Sequence, residues 1–166
     1  MAPTPDPDVK DWPLFTLPSG TVSLRLPGKP SNETGDGTTN FVVQIGPESR
    51  YWVSEMPIPV QFRSVPPEDL VGYFGTSKAF VPPGFVEALR ESVPTTLSGR
   101  PCMIVHVQGH VKGRPDYTFR LAVLHNQRLI VFVGYVARSD IFRQGVFEGM
   151  LASLTVRAPR ATRRAA

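Results

Sequence analysis

From Leu14 to Leu26 the order LFTLPSGTVSLRL sets apolar Val22, Leu24 and Leu26 in alternation with Thr21, Ser23 and Arg25. A period of two marks a strand with one buried face, so two short strands are predicted around the Pro18-Ser19-Gly20 turn. The next stretch, PGKPSNETGDGTTN from Pro27 to Asn40, has no apolar period and is dense in turn-forming residues, which predicts a loop. FVVQIG (Phe41 to Gly46) and RYWVSEM (Arg50 to Met56) flank Pro47-Glu48-Ser49 and predict a hairpin.

After Pro57 and Pro59 the pattern changes period. Pro66-Pro67-Glu68-Asp69-Leu70 puts proline and two acids where a helix begins, predicting a helix to about Phe74. PPGFVEALRES, from Pro82 to Ser92, opens in the same way, and Phe85, Val86 and Leu89 make one side of a second predicted helical turn.

Three β-rich runs follow: CMIVHVQGHV from Cys102 to Val111, YTFRLAVL from Tyr117 to Leu124 and RLIVFVGYVA from Arg128 to Ala137. Their short, turn-rich connections predict an antiparallel meander. The last run is apolar at nearly every position, which predicts a central strand covered on both sides. Ser139 can cap a closing helix on which Phe142, Val146, Met150 and Leu154 recur every four residues beside Phe147 and Leu151. The predicted class is α+β, an antiparallel sheet flanked by helices in an α/β/α sandwich.

Composition adds domain limits. With 166 residues, 41% of them apolar, the chain fits one domain, and 18 prolines and 14 glycines agree with many turns. Residues 1–11 alternate proline with polar residues and are expected to be a disordered tail, with the domain over 12–156 and a basic disordered tail over 157–166. No apolar run is long enough to span a bilayer, so no membrane insertion is expected. The start MAPTPDPDVKDW lacks the basic and apolar regions of a signal peptide. Cys102 is the only cysteine, so no internal disulfide can form and a cytoplasmic location is the simpler expectation.

The net charge of +4 comes largely from Arg157, Arg160, Arg163 and Arg164 in the last ten residues, while the body is nearly balanced. A folded nucleic-acid module needs a basic stripe on its body, so no nucleic acid is expected as partner.

The residue types that carry chemistry do not converge. His106 and His110 lie on a strand-like run, where four residues separate side chains by roughly 13 Å, too far for one ion. The same distance separates Cys102 from His106, which excludes a thiol–imidazole pair. Ser19 and Ser98 precede glycines without forming a Gly-x-Ser-x-Gly elbow, and no phosphate loop occurs. Neither an enzyme nor a cofactor or metal is expected. Tyr117, Phe119, Phe132 and Tyr135 are better explained as strand aromatics filling a core than as base-stacking platforms.

The order of segments, opening LPSGTVSLRLPGKP, then hairpin, helical turns, meander after Leu97-Ser98-Gly99-Arg100-Pro101, and amphipathic helix before SLTV, resembles the PsbP-like superfamily over about residues 14–156. Leu26-Pro27-Gly28-Lys29-Pro30 stands where that group has a Phe-Pro-Gly-Lys-Pro-like start. Met150-Leu151-Ala152-Ser153-Leu154 stands for its Phe-x-x-Ser-Phe-like close, both with aliphatic residues in place of aromatic ones. The group includes the extrinsic photosystem protein PsbP, a Ran-binding nuclear-import factor, and bacterial proteins of the DcrB and LpqN types. One bacterial branch of similar size chaperones apolar helices of type VI secretion effectors. The resemblance implies an antiparallel sheet between helices and a non-catalytic scaffold that binds proteins. It transfers no calcium, chloride or Ran contacts, because no residues here align with them.

The expected function is therefore a bacterial protein-binding adaptor, assembly factor or secretion-chaperone-like domain, with an unidentified protein partner and a homodimer as one form of the assembly. His106, Gln108, His110 and Arg120 are the candidate interaction surface, on the less apolar face of their strands. The alternative is a small-ligand or lipid-binding module with an apolar cleft lined by Phe74, Phe80 and Phe85.

Overall fold

A computed structural model describes residues 9–35, 38–44, 50–76, 84–113, 116–126, 129–138 and 144–157. Val9–Asp11 form a short 3-10 turn and Trp12 is buried, so regular structure starts just ahead of the expected domain boundary. Residues 1–8 and 158–166, which hold most of the two expected tails, lie outside the described residues.

The N-terminal alternation forms strands β1 (Leu14–Thr16) and β2 (Val22–Arg25), an antiparallel pair. Gly20 takes a left-handed backbone (φ 76°) at the turn between them, and its amide donates to the Leu17 carbonyl at 2.8 Å. These strands stand apart from the main sheet. Their third partner is β10 (Thr155–Val156), which pairs with the other side of β2 and closes the C-terminal end onto the N-terminal one.

The main sheet has seven strands in the order β3-β4-β5-β9-β8-β7-β6 and is antiparallel at every pairing. They span β3 Ser31–Gly35, β4 Thr38–Gln44, β5 Arg50–Pro57, β6 Phe85–Leu97, β7 Arg100–Val111, β8 Asp116–Asn126 and β9 Leu129–Arg138. The predicted hairpin is β4–β5, the predicted meander is β7–β8–β9, and the run expected to be central is the fourth of seven strands. Helix α1 covers Pro67–Thr76, with Glu68 and Asp69 in its first turn as the start signals predict.

Two expectations give way. The loop expected over Pro27–Asn40 contains β3 and the start of β4, paired from Ser31↔Val42 to Gly35↔Thr38. A strand with water on both faces has no need of an apolar period, so SNETG leaves no strand pattern to read. Of the helix expected over Pro82–Ser92, Pro82 and Pro83 lie outside the described residues, and Phe85–Ser92 is instead the first part of β6, which pairs with β7 from Phe85↔Val111 to Leu97↔Arg100. The spacing of Phe85, Val86 and Leu89 suits a helix, but the long ladder with β7 overrides local preference. A bulge between Glu87 and Leu89 explains why the strand does not show a clean period of two.

The closing helix, α2, is described over Gln144–Ala152, whereas Ser139 and Phe142, its expected cap and first apolar residue, lie outside the described residues. Phe147, Met150 and Leu151 on α2 and Leu154 after it are buried with Val22, Leu24, Cys102, Ala122 and Leu124 in one core. The opposite face of the main sheet holds a second core, in which Leu70 and Val71 of α1 meet Val105, Val107, Phe119, Leu121 and Val123. The antiparallel sheet thus matches the expectation, but the helical layers are thinner than an α/β/α sandwich implies. Among the described residues, α1 is the only α-helix on one face, and α2 shares the other with the three-stranded sheet.

Polar contacts hold the two sheets together. The Glu55 carboxylate accepts from the Ser19 amide at 2.9 Å and from its hydroxyl at 2.8 Å, and the Asn126 amide donates to Thr21 Oγ1 at 2.9 Å. Close approach also dictates two glycines. A Cβ on Gly134 of β9 would run into the Trp52 ring, and one on Gly75 of α1 would stand 2.7 Å from Met103 Cγ.

Candidate interaction surface at the outer edge of the main sheet

Alternation along β7 divides its side chains between the cores: Met103, Val105 and Val107 turn to α1, while Cys102 and Ile104 turn to the α2 side. By the same period His106, Gln108 and His110 follow Cys102 and Ile104, and the ladder sets Arg120 of β8 opposite His106. All four candidate surface residues therefore share one face of the sheet.

They differ in availability. Arg120 is engaged by α2: its Nη1 donates to Glu148 Oε1 at 2.6 Å, and its guanidinium carbon lies 4.7 Å from the centre of the Phe147 ring. It holds the helix on the sheet. His106 is half-buried between Arg120 on β8 and Glu91 on β6. Burial, with a smaller contribution from the Arg120 charge, holds its pKa below the ordinary 6.5, against an opposing pull from Glu91. Gln108 is half-buried and His110 exposed. No group of three His, Cys, Asp or Glu side chains able to hold a metal occurs among the described residues. Cys102 is buried in the first core, and burial pushes its thiol up to about 11, which keeps it protonated and unreactive.

Two of the three phenylalanines of the expected cleft are described, and both pack against the second core. The Phe74 ring meets Phe62 edge-on at 6.3 Å, and the Phe85 ring meets Phe119 at 4.9 Å. Phe85 also lies over Gly109, where a Cβ would stand 2.5 Å from the ring. Phe80 lies outside the described residues.

Beyond His106 and Gln108 the sheet ends in β6, which the sequence pattern did not show as a strand. The register sets Val86 beside His110, Leu89 beside Gln108, Glu91 beside His106 and Val93 beside Ile104, so these β6 residues share the candidate face. Three of them are apolar and open to water, Val86 at 53%, Leu89 at 43% and Val93 at 57% exposure. Among the described residues no strand neighbours the outer side of β6, which is last in the sheet. The signal that could have revealed it is the Ser98-Gly99 pair. Positive φ at both residues (51° and 72°) makes the two-residue turn that joins hairpin strands, with Leu97 directly opposite Arg100.

No protein-family model matches the sequence, and no curated protein matches it. Solved structures do. Cyanobacterial PsbP (CyanoP) from Synechocystis sp. PCC 6803 superposes with a TM-score of 0.61 at 13% identity, covering 87% of this chain and 91% of that one. A protein from Bacteroides thetaiotaomicron gives 0.57 at 12% identity over 89% of this chain, which spans only 49% of that protein's length. Protein PA94 of Pseudomonas aeruginosa, of unknown function, gives 0.50 at 15% identity, covering 90% of this chain and 98% of that one. These likenesses show the fold, which is PsbP-like.

Proposed function

From this PsbP-like fold with a bare outer strand, we propose that the chain is a non-catalytic protein-interaction module of the adaptor, assembly-factor or secretion-chaperone kind. It meets its protein partner through β6 and the adjoining face of β7. The carrying observation is the exposed row of Val86, Leu89 and Val93 on a strand that, among the described residues, is the edge of the sheet. Edges of stable sheets are ordinarily kept short, charged or covered, and exposed apolar patches mark interaction sites. His110 and the half-buried Gln108 supply a polar rim beside the row. Cys102, held as a buried thiol, is compatible with work in a reducing cytoplasm. Among the described residues no helix is long and apolar enough to cross a membrane.

Affinity capture with the tagged full chain in its own host tests the reading. A stoichiometric protein partner, lost with Leu89→Asp and retained with an exposed control such as Val60→Asp, is the expected result. Recovery of an enriched lipid or metabolite without a protein would replace it with a ligand-binding role.

A further inference from the structure

The interaction reading leaves open what covers β6, and the strand itself carries information about its partner. Its regular part is bounded by the bulge after Glu87 and by the Ser98-Gly99 turn, which leaves the nine residues Leu89–Leu97 with Val93 at their midpoint. The apolar residues on this face are symmetric about that midpoint: Leu89 and Val93, open to water, and Leu97, half-buried against the first core, with Glu91 and Thr95 between them. A sequence whose polarity reads the same from its centre in both directions is complementary to itself when paired antiparallel, as two-fold symmetry requires.

Resting on the interaction reading, we propose that the partner at β6 is a second copy of this chain, paired antiparallel along Leu89–Leu97 with the two-fold axis at Val93. In this register Leu89 of each copy faces Leu97 of the other, Val93 faces Val93, and Glu91 faces Thr95. On the opposite face Arg90 meets Thr96, and Ser92 meets Pro94. No like charges come opposite one another. Moving the axis to Glu91 would set two carboxylates face to face, and moving it to Leu89 would set Glu91 against apolar Val86 and run the ladder through both bulges. Like charges directly opposite destabilise a strand pair, and apolar pairs stabilise it.

Backbone hydrogen bonding agrees with this register. The two-residue turn directs the amides of Leu97 and of every second residue before it toward β7, so Ser92, Pro94 and Thr96 present their backbone groups outward. Pro94, which has no N–H, thus sits where an edge strand tolerates proline. The pairing forgoes one hydrogen bond on each side of the axis and retains the bond from each Ser92 N–H to the facing Pro94 carbonyl. Val93 then lies at a non-hydrogen-bonded position, where facing side chains approach most closely.

The experiment is sedimentation of the purified full chain over a concentration series, with site-directed crosslinking. A concentration-dependent dimer is expected, and Val93→Asp should weaken it by about tenfold or more while circular dichroism stays native. Under mild oxidation Val93→Cys should crosslink to itself. Leu89→Cys and Leu97→Cys should each fail alone and crosslink when mixed, since that pair faces across the axis; the native chain, whose Cys102 is buried, is the control. A chain that stays monomeric at all concentrations, or a dimer in which Val93→Cys does not crosslink, overturns the proposal. The two readings fail separately. A monomeric chain that still captures another protein through Leu89 sinks the second copy and keeps the interaction surface, whereas a monomer with no Leu89-dependent partner sinks both.

Discussion

The main sheet ends in two edges built differently. β3, Ser31–Gly35, is five residues of polar or small type, and its one charged side chain, Glu33, is bridged to Arg50 of β5 at 3.0 Å. β6 has 13 residues, with Val86, Leu89 and Val93 open to water. Both are the last strands of the same sheet, so their surroundings should be managed in the same way if both were meant to face solvent. β3 relies on shortness and polarity, two of the usual defences of a free edge. β6 has a bulge, a proline and charges, and yet it retains an apolar row that contributes nothing visible to either core. This difference in exposure is what the proposed interface at β6 rests on.

A second contrast lies one strand inward. β8 is buried at most positions on both faces, whereas β6 is exposed at most of its own. Both contain apolar residues in plenty. Position in the sheet decides which of them are removed from water: α1 lies over β7 and β8 on one side, and Phe147 and Arg120 bring α2 down on the other. β6 reaches the cores only through Phe85 and Leu97 near its ends and touches α1 through Arg90, while Val86, Leu89 and Val93 stay uncovered.

These contrasts can be broken by substitution. The largest effect is expected inside: Phe147→Ala should cost about 3–5 kcal/mol in chemical denaturation, because it empties a fully buried site and removes the surface under the Arg120 guanidinium. Loss of less than about 1 kcal/mol would mean that α2 contributes little to the fold. Gly134→Ala at the sheet centre should cost about 1–3 kcal/mol, since its methyl group would meet the Trp52 ring and force it to shift. A melting temperature equal to that of the native chain would show that β5 and β9 are less tightly apposed than the structure has them.

The next expected effect is a pH dependence. Burial comes first among the causes that lower the pKa of His106 and of His125, with Arg120 and Arg100 acting in the same direction on each and Glu91 and Glu68 opposing. A histidine whose folded pKa lies below its unfolded value of 6.5 binds its proton more readily when the chain is unfolded. Its neutral form therefore supports stability above that value, and the contribution is lost as pH falls through the folded pKa. Melting temperature should drop from about pH 7.5 to about pH 5.5, and His106→Gln should flatten the drop. An unchanged slope in that variant would remove His106 as the cause. The smallest effect belongs to the outer strand. Val93→Ser should change the stability of the dilute chain by no more than about 0.5 kcal/mol, as for a surface residue. A large loss would mean that Val93 supports the fold rather than an interface.

Several elements could be read directly from residue order. The alternation of Val22, Leu24 and Leu26, the start of α1 at Pro67-Glu68-Asp69, the meander, and the central place of the run after Asn126 all stand in the structure. Each is set by neighbours a few residues away, which is where turn chemistry and periodicity act. The shared face of His106, Gln108, His110 and Arg120 was legible for the same reason, because a strand's period of two places its residues wherever it lies. What could not be read is that α2 would take Arg120, or that a segment with helical spacing would become β6. Both depend on contacts between residues distant in the chain.

The sequence by itself determined an antiparallel sheet, its hairpin and meander, the start of α1, and a face of mixed polarity on β7. The tertiary structure decided that β1 and β2 would leave the main sheet to pair with β10, that SNETG would be an edge strand, and that Val86, Leu89 and Val93 would stay in water. The physical reason is that hydrogen-bonded pairing and burial are properties of position in the assembled sheet. A residue's own side chain fixes how it prefers to lie, but only its neighbours in space fix whether anything covers it.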